Sequence, residues 1–396
     1  MIRDSGFPTF MPVMNVLQRL IAIQPDFGTL PTNQLIEILQ SWKESEFFEK
    51  LSQNLWLVSF PDPQLIPADL HTRLPANRIC LLIPEAACAN KENQSRLKHF
   101  STNGFRIVAD NFVSSLELAW IDTKYFAMDA KVGLPFYAKS WTNKLSSGQH
   151  WAKNISDSVV LEQALQSGFK MLSGDYAFNP PVSNKSADSS ARTRLLKLLG
   201  LVSRDADSPE LEELFKQDPS LSFMLFKLVS SAAFAQTVRV SSFGQAITLL
   251  GRRQLQRWLQ LLLYARPQEN AGALNPLMTR AAFRASMMEG LCQKHGGNKD
   301  EQDAAFMVGI FSLLDKLFGS NLSEVLQPLT LKEEILDALL RRTGRLGTLL
   351  HVVELSDRAY SAEVEIALKR AEINVGVFEE CLVNAYAWVN QVCRDA

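Results

Sequence analysis

Ile79-Cys80-Leu81-Leu82-Ile83, then Asn90 to Thr102, then Gly104-Phe105-Arg106-Ile107-Val108-Ala109-Asp110-Asn111-Phe112 is the stretch that decides the fold. Two four- to five-residue apolar runs of strand type flank a segment that reads as a helix. Gly104 closes that helix, because glycine best tolerates the left-handed turn beyond a helix end. Strand, helix, strand at this spacing predicts a parallel sheet, open or closed into a barrel. Working outward, Trp56 to Phe60 and Tyr125 to Met128 read as further strands. Chemistry on such barrels gathers at the carboxyl ends of the strands. Those ends carry Glu85, Asp110 with Asn111, and Asp129.

The composition shifts at residues 179 to 193, where a double proline is followed by small polar residues, the mark of an exposed linker. The expected division is 1–181 as the barrel region, 182–193 as linker and 194–396 as a helical domain. In that last part Ser208-Pro209-Glu210 and Asp218-Pro219-Ser220 read as helix starts, each pairing a cap candidate with a first-turn proline. Leu221, Leu225, Leu228 and Val229 share one helical face. Further helices are expected over 276–294, 303–318, 331–342, 347–357 and from 362 onward.

The chain has 396 residues, roughly 2.6 times an ordinary domain. With 46% hydrophobic and 21% charged residues it can bury a sizeable core. Its 41 Lys and Arg against 42 Asp and Glu give a net charge of −1, which carries no overall footprint for nucleic acid or anionic lipid. Arg252, Arg253 and Arg257 beside Trp258 read as a solvated face over a core tryptophan, and Arg341, Arg342 and Arg345 as ordinary helix termination. No apolar run approaches the ~18 residues of a membrane helix, and no signal peptide is visible, so a cytoplasmic location is expected. Five cysteines without a CxxC pair read as buried reduced thiols.

The helical part resembles the HD-related output domain, HDOD, a bacterial signalling module. The resemblance lies in Ser208 to Leu211, Asp218 to Ser222, Leu228 to Phe234, Ser241 to Gly251 and Ala305 to Asp315, with Ser230 where an Asn is usual. The family is related to metal-dependent phosphohydrolases, whose ligands need deprotonated nitrogen or oxygen. The resemblance places their His-Asp pair at Ser312-Leu313, and neither residue can serve. His295 reads as a helix end and His351 as a lone histidine.

The N-terminal part resembles a shortened, degenerate EAL domain, the (β/α) barrel that hydrolyses cyclic di-GMP. The fold class expected is therefore α/β plus all-α. The resemblance maps the motif glutamate to Gln24, the metal-binding Asn to Val58, the next glutamate to Leu82 and the second aspartate to Asn111. It maps the lysine to Ala127, a further acid to Lys153 and the closing glutamine to Ser173. Only Asp110 and Asp129 keep their acids, as hydrogen-bonded remnants. Leu and Val cannot ligate a hard cation, and Lys153 puts a positive charge into the site.

The reading that follows is a non-enzymatic adaptor without cofactor or metal, whose partners are other signalling proteins. One alternative is a non-hydrolysing cyclic di-GMP receptor, with Arg106, Lys124 or Lys153 near the barrel mouth on the phosphates. A second is a residual metal-dependent phosphodiesterase.

Overall fold

The computed structural model of the chain describes residues 9–28, 30–112, 125–134, 148–179, 186–217, 219–229, 243–264, 273–329, 331–359 and 361–395. Eight strands form one sheet: β1 (Thr9–Met14), β2 (Leu20–Asp26), β3 (Leu55–Ser59), β4 (Ile79–Pro84), β5 (Arg106–Asp110), β6 (Ala127–Asp129), β7 (Trp151–Ile155) and β8 (Met171–Gly174). Their order is β5-β4-β3-β2-β1-β8-β7-β6. A parallel bridge between Ala109 and Phe126 brings β5 to the start of β6 and nearly closes the barrel. β1 runs antiparallel to both of its neighbours, and the other paired strands are parallel.

The helix expected between the Ile79 and Phe105 runs, here β4 and β5, spans Lys91–Thr102. Asn90 caps it by accepting from the Glu92 N–H at 3.0 Å, and Gly104 takes a φ of 95° beyond its end. Side chains in strands alternate between faces, and two clusters result. Val13, Ala22, Leu57, Cys80, Leu82, Val108, Ala127, Trp151 and Met171, drawn from every strand, fill the barrel interior. The alternate residues, among them Trp56, Val58, Leu81, Ile107 and Leu172, face outward into the helical layers.

After the barrel the described structure is helical, from Ser186 to Asp395. Residues 186–193, read as linker, are the opening turns of helix Ser186–Ser203, while 180–185 lie outside the described residues. The helix expected over 303–318 starts earlier, at Lys299, where Asn298 and Glu301 form a reciprocal capping box. It ends at Phe311, and a new helix begins at Leu314. The segment expected from 362 is two helices, Ser361–Arg370 and Val375–Asp395.

The two regions share one contiguous apolar core. Tyr386, from the last helix, donates to the Phe10 carbonyl of β1 at 3.1 Å and packs on Phe283 with centroids 4.7 Å apart. Leu274 N–H donates to the Leu17 carbonyl in the β1–β2 turn at 3.1 Å.

Candidate functional site

Continuing the inward-facing phase toward the carboxyl ends places Gln24, Ser59, Asp110, Asp129, Lys153 and Ser173 around the barrel mouth. Val58 is not among them. It is fully buried on the outer face, and Ser59 is the residue that β3 turns inward at this end. A slip of one residue exchanges the faces. Leu82 and Ala127 do face inward, fully buried in the interior cluster. The carbon side chain of each adds to the apolar floor beneath the mouth.

Lys153 dominates the polar contacts. Its ammonium pairs with the Asp110 carboxylate, both side chains being 12% exposed, and donates to Asn111 Oδ1 at 3.0 Å. Asn111 holds a left-handed φ of 52°, which turns its side chain back toward the strand end. Beside it Asn154, at a φ of 55°, donates to Asp129 Oδ2 at 2.8 Å. The β7–β8 register is irregular between Ala152 and Ile155. That bulge lets the consecutive residues Lys153 and Asn154 reach two different acids. Ser173 accepts from the Trp151 indole N–H at 2.9 Å and is thereby occupied. Arg106 is not at the mouth. It begins β5 at the opposite end, where it lines a cavity of 10 Å³ with Tyr125, Cys80 and Trp151. Lys124 lies outside the described residues.

The mouth's donors do not fit a pair of divalent cations, because an ammonium lies among the oxygens they would need. Among the described residues no group of three or more His, Cys, Asp or Glu could hold a metal ion.

In the helical region Ser312 sits at the helix break and is buried, with Leu313 buried beside it. Ser312 Oγ donates to the Gly309 carbonyl at 2.7 Å and accepts from Arg284 Nη1 at 3.1 Å. Arg284 and Arg280 share Asp357: Arg284 Nε reaches Oδ2 at 2.8 Å and Arg280 Nη1 reaches Oδ1 at 3.0 Å. Burial disfavours the Arg280 charge, but Asp357, Tyr386 and Tyr176 more than offset it, so its pKa rises. Glu354 joins from the solvent side, pairing with Arg284 and with Arg342. Sequence reasoning missed this network, whose members lie up to 77 residues apart.

The smaller expectations divide. Arg253 and Arg257 are not simply solvated: they pair with Asp303, and Arg257 also with Glu289. Trp258 packs half-buried against the core. His295 caps the end of helix Pro276–Lys294, and His351 is exposed. All five cysteines are free and buried.

Residues 190–334 match the HDOD domain. The match thus runs from within helix Ser186–Ser203, past the Ser312 break, to the start of helix Glu333–Arg341. A Vibrio cholerae protein named cyclic di-GMP phosphodiesterase CdgJ is 24% identical over 98% of this chain and 87% of its own length. A Bacillus subtilis protein, the uncharacterized YuxH, is 27% identical over 52% of this chain and 50% of its own. Among solved structures, the Xanthomonas citri FimX EAL domain with c-diGMP covers 44% of this chain and 87% of its own, at 17% identity and TM-score 0.34. The PaMucR phosphodiesterase in its c-di-GMP complex covers 43% of this chain and 94% of its own, at 15% identity and TM-score 0.33. The expected layout holds in outline: a nearly closed eight-stranded barrel followed by helices that carry the HDOD match. The expectation of a non-enzyme does not. A relative aligned over nearly the whole chain carries the name of an enzyme, and that overturns it. Among the described residues no helix is long and apolar enough to cross a membrane.

Proposed function

We propose that this protein works in cyclic di-GMP signalling, with the barrel mouth facing the nucleotide and the HDOD region engaging partner signalling proteins. The observation that carries this reading is the Vibrio cholerae relative, whose alignment spans barrel and helices together. Lys153 supports the recognition half. An ammonium has three N–H donors, and Asp110 and Asn111 accept two of them. Among the described residues the third meets no acceptor, and on this reading it binds a phosphodiester oxygen, a charge-assisted bond to an anion. Gln24, Asn111 and Lys153 then recognise the nucleotide by direct hydrogen bonding, and Asp110 serves to aim Lys153. The apolar floor of Leu82 and Ala127 excludes water beneath it.

The test is calorimetric titration of the full chain with cyclic di-GMP, with magnesium and with EDTA, followed by analysis of the cell contents for cleaved nucleotide. Binding, or cleavage as the relative's name describes, supports the proposal. Neither heat nor product contradicts it.

A further inference from the structure

β8 ends at Ser173-Gly174, on the rim of the mouth, and the helical region grips that end. Arg280 Nη2 donates to the Gly174 carbonyl at 3.1 Å, while Nη1 of the same guanidinium binds Asp357. Four residues beyond Gly174, Phe178 ends a tight turn with the Arg280, Arg284 and Arg358 guanidiniums 5.1, 5.5 and 5.1 Å from its ring. Gly174 also faces Ile155 of β7, next to Lys153 and Asn154. The approach is tight: a Cβ on Gly174 would lie 2.3 Å from Ile155 N and O.

Named contacts therefore run without a gap from one region to the other. Lys153 and Asn154 hold the acids of the mouth; Ile155 abuts Gly174; Gly174 is held by Arg280. Arg280 shares Asp357 with Arg284, and Arg284 donates to Ser312 at the break between Lys299–Phe311 and Leu314–Phe318. Most of this path is buried: Arg280, Arg284, Ser312 and Asp357 are each at most 5% exposed. Packed interiors of this kind rearrange between discrete arrangements and do not deform smoothly.

We propose that Arg280 is a positioning residue that the helical region supplies to the barrel mouth, and that through it the Lys153 site and the Ser312 break respond to one another. A change in how Lys153 is held shifts the β7 bulge against Gly174. The shift moves the Gly174 carbonyl relative to Arg280, and the Arg280–Asp357–Arg284 chain passes it to Ser312. The inference does not rest on nucleotide binding, and its test uses no ligand.

The test is amide hydrogen exchange on the full chain, read over residues 305–312. Lys153→Met removes the mouth contacts of Lys153 and is expected to speed exchange there by about fivefold or more, the low end of ordinary coupling between sites. Val132→Ser, on the loop after β6 and 71% exposed, changes the same rim without touching the path and is expected to leave 305–312 unchanged. Arg280→Lys keeps the charge beside Asp357 but loses the arm to Gly174. In that background Lys153→Met is expected to have no effect at 305–312. Should Arg280→Lys not fold, Phe178→Leu loosens the same joint and serves as the background. No change at 305–312 on Lys153→Met overturns the proposal. An undiminished response in the Arg280→Lys or Phe178→Leu background overturns the role given to Arg280.

Discussion

Lys153 lies with its ammonium on the Asp110 carboxylate, both 12% exposed, so the carboxyl ends of β5 and β7 are joined by an ion pair. The pair places a fixed positive charge where acids from neighbouring strands converge. Replacing Lys153 by an acid should convert the mouth into a cation site. For Lys153→Glu, millimolar magnesium or manganese is expected to raise the melting temperature by about 1 °C, the shift that ~1 kcal/mol of binding produces in a chain of this length. The unsubstituted protein is expected to show no such shift. Differential scanning fluorimetry with and without metal reads both.

The Asp357 pairings differ in kind from those at the surface. Asp357 is 1% exposed and serves two buried arginines, so Asp357→Asn leaves excess positive charge in the core. The expected cost is about 3–5 kcal/mol, measured by urea denaturation. Lys294 and Glu380 form an exposed pair, 40% and 39% accessible, and Glu380→Gln is expected to leave the urea midpoint nearly unchanged.

The same contrast holds for glycines. Gly174→Ala drives a methyl into the Ile155 backbone at a φ of 141° and is expected to cost at least about 3 kcal/mol, the upper end of overpacking. Gly28 has a φ of 61° but open space around it, so Gly28→Ala is expected to cost about 1–2 kcal/mol from backbone strain alone. Thermal denaturation of the two variants separates the cases.

Much of this was legible in residues and much was not. The run from Ile79 to Asp110 reads directly as strand, helix and strand, because Gly104 and the apolar runs are local signals. The Val58 assignment was off by one residue, and in a strand one residue is a change of face. The linker reading of 186–193 followed its small polar side chains. Helix Ser186–Ser203 instead continues through them into Leu195, Leu196, Leu198 and Leu199, which are buried. The break at Ser312-Leu313 was hidden by an unbroken apolar pattern, and the Arg284 side chain that meets Ser312 there comes from elsewhere in the chain. The mouth's polar residues were visible one by one, but the Lys153–Asp110 pairing and the Arg280–Gly174 bond depend on tertiary approach that no local spacing encodes.

Asp157 caps helix Ser158–Gln166 by accepting from the Val159 and Val160 N–H groups at 2.8 and 3.0 Å. The Val160 N–H foremost, then the Ser156 hydroxyl and the Val159 N–H, hold its pKa below the ordinary 3.8. A folded pKa below the unfolded one stabilises the fold above the unfolded value and loses that contribution as pH falls through the folded value. Asp157→Ala is therefore expected to cost about 1 kcal/mol at pH 7. The gap to the unsubstituted protein should narrow below pH 3.8, as urea midpoints across pH will read.

Burial pushes the Cys80 and Cys381 thiols up to about 11 and Cys88 to about 12. Thiolate is the reactive form, so the native chain is expected to resist iodoacetamide at pH 8 at these three positions. In urea all five cysteines should be alkylated, as mass spectrometry of the labelled chain will count.

On the proposed function, the barrel mouth recognises cyclic di-GMP through Lys153. The most direct measurement is calorimetric titration of the full chain and of its Lys153→Met variant with cyclic di-GMP in EDTA. Binding by the unsubstituted chain is expected, with a loss of about tenfold or more in the variant, the ~1.4 kcal/mol or more of a charge-assisted hydrogen bond. Equal affinities in the two proteins, or no binding by either, would contradict it.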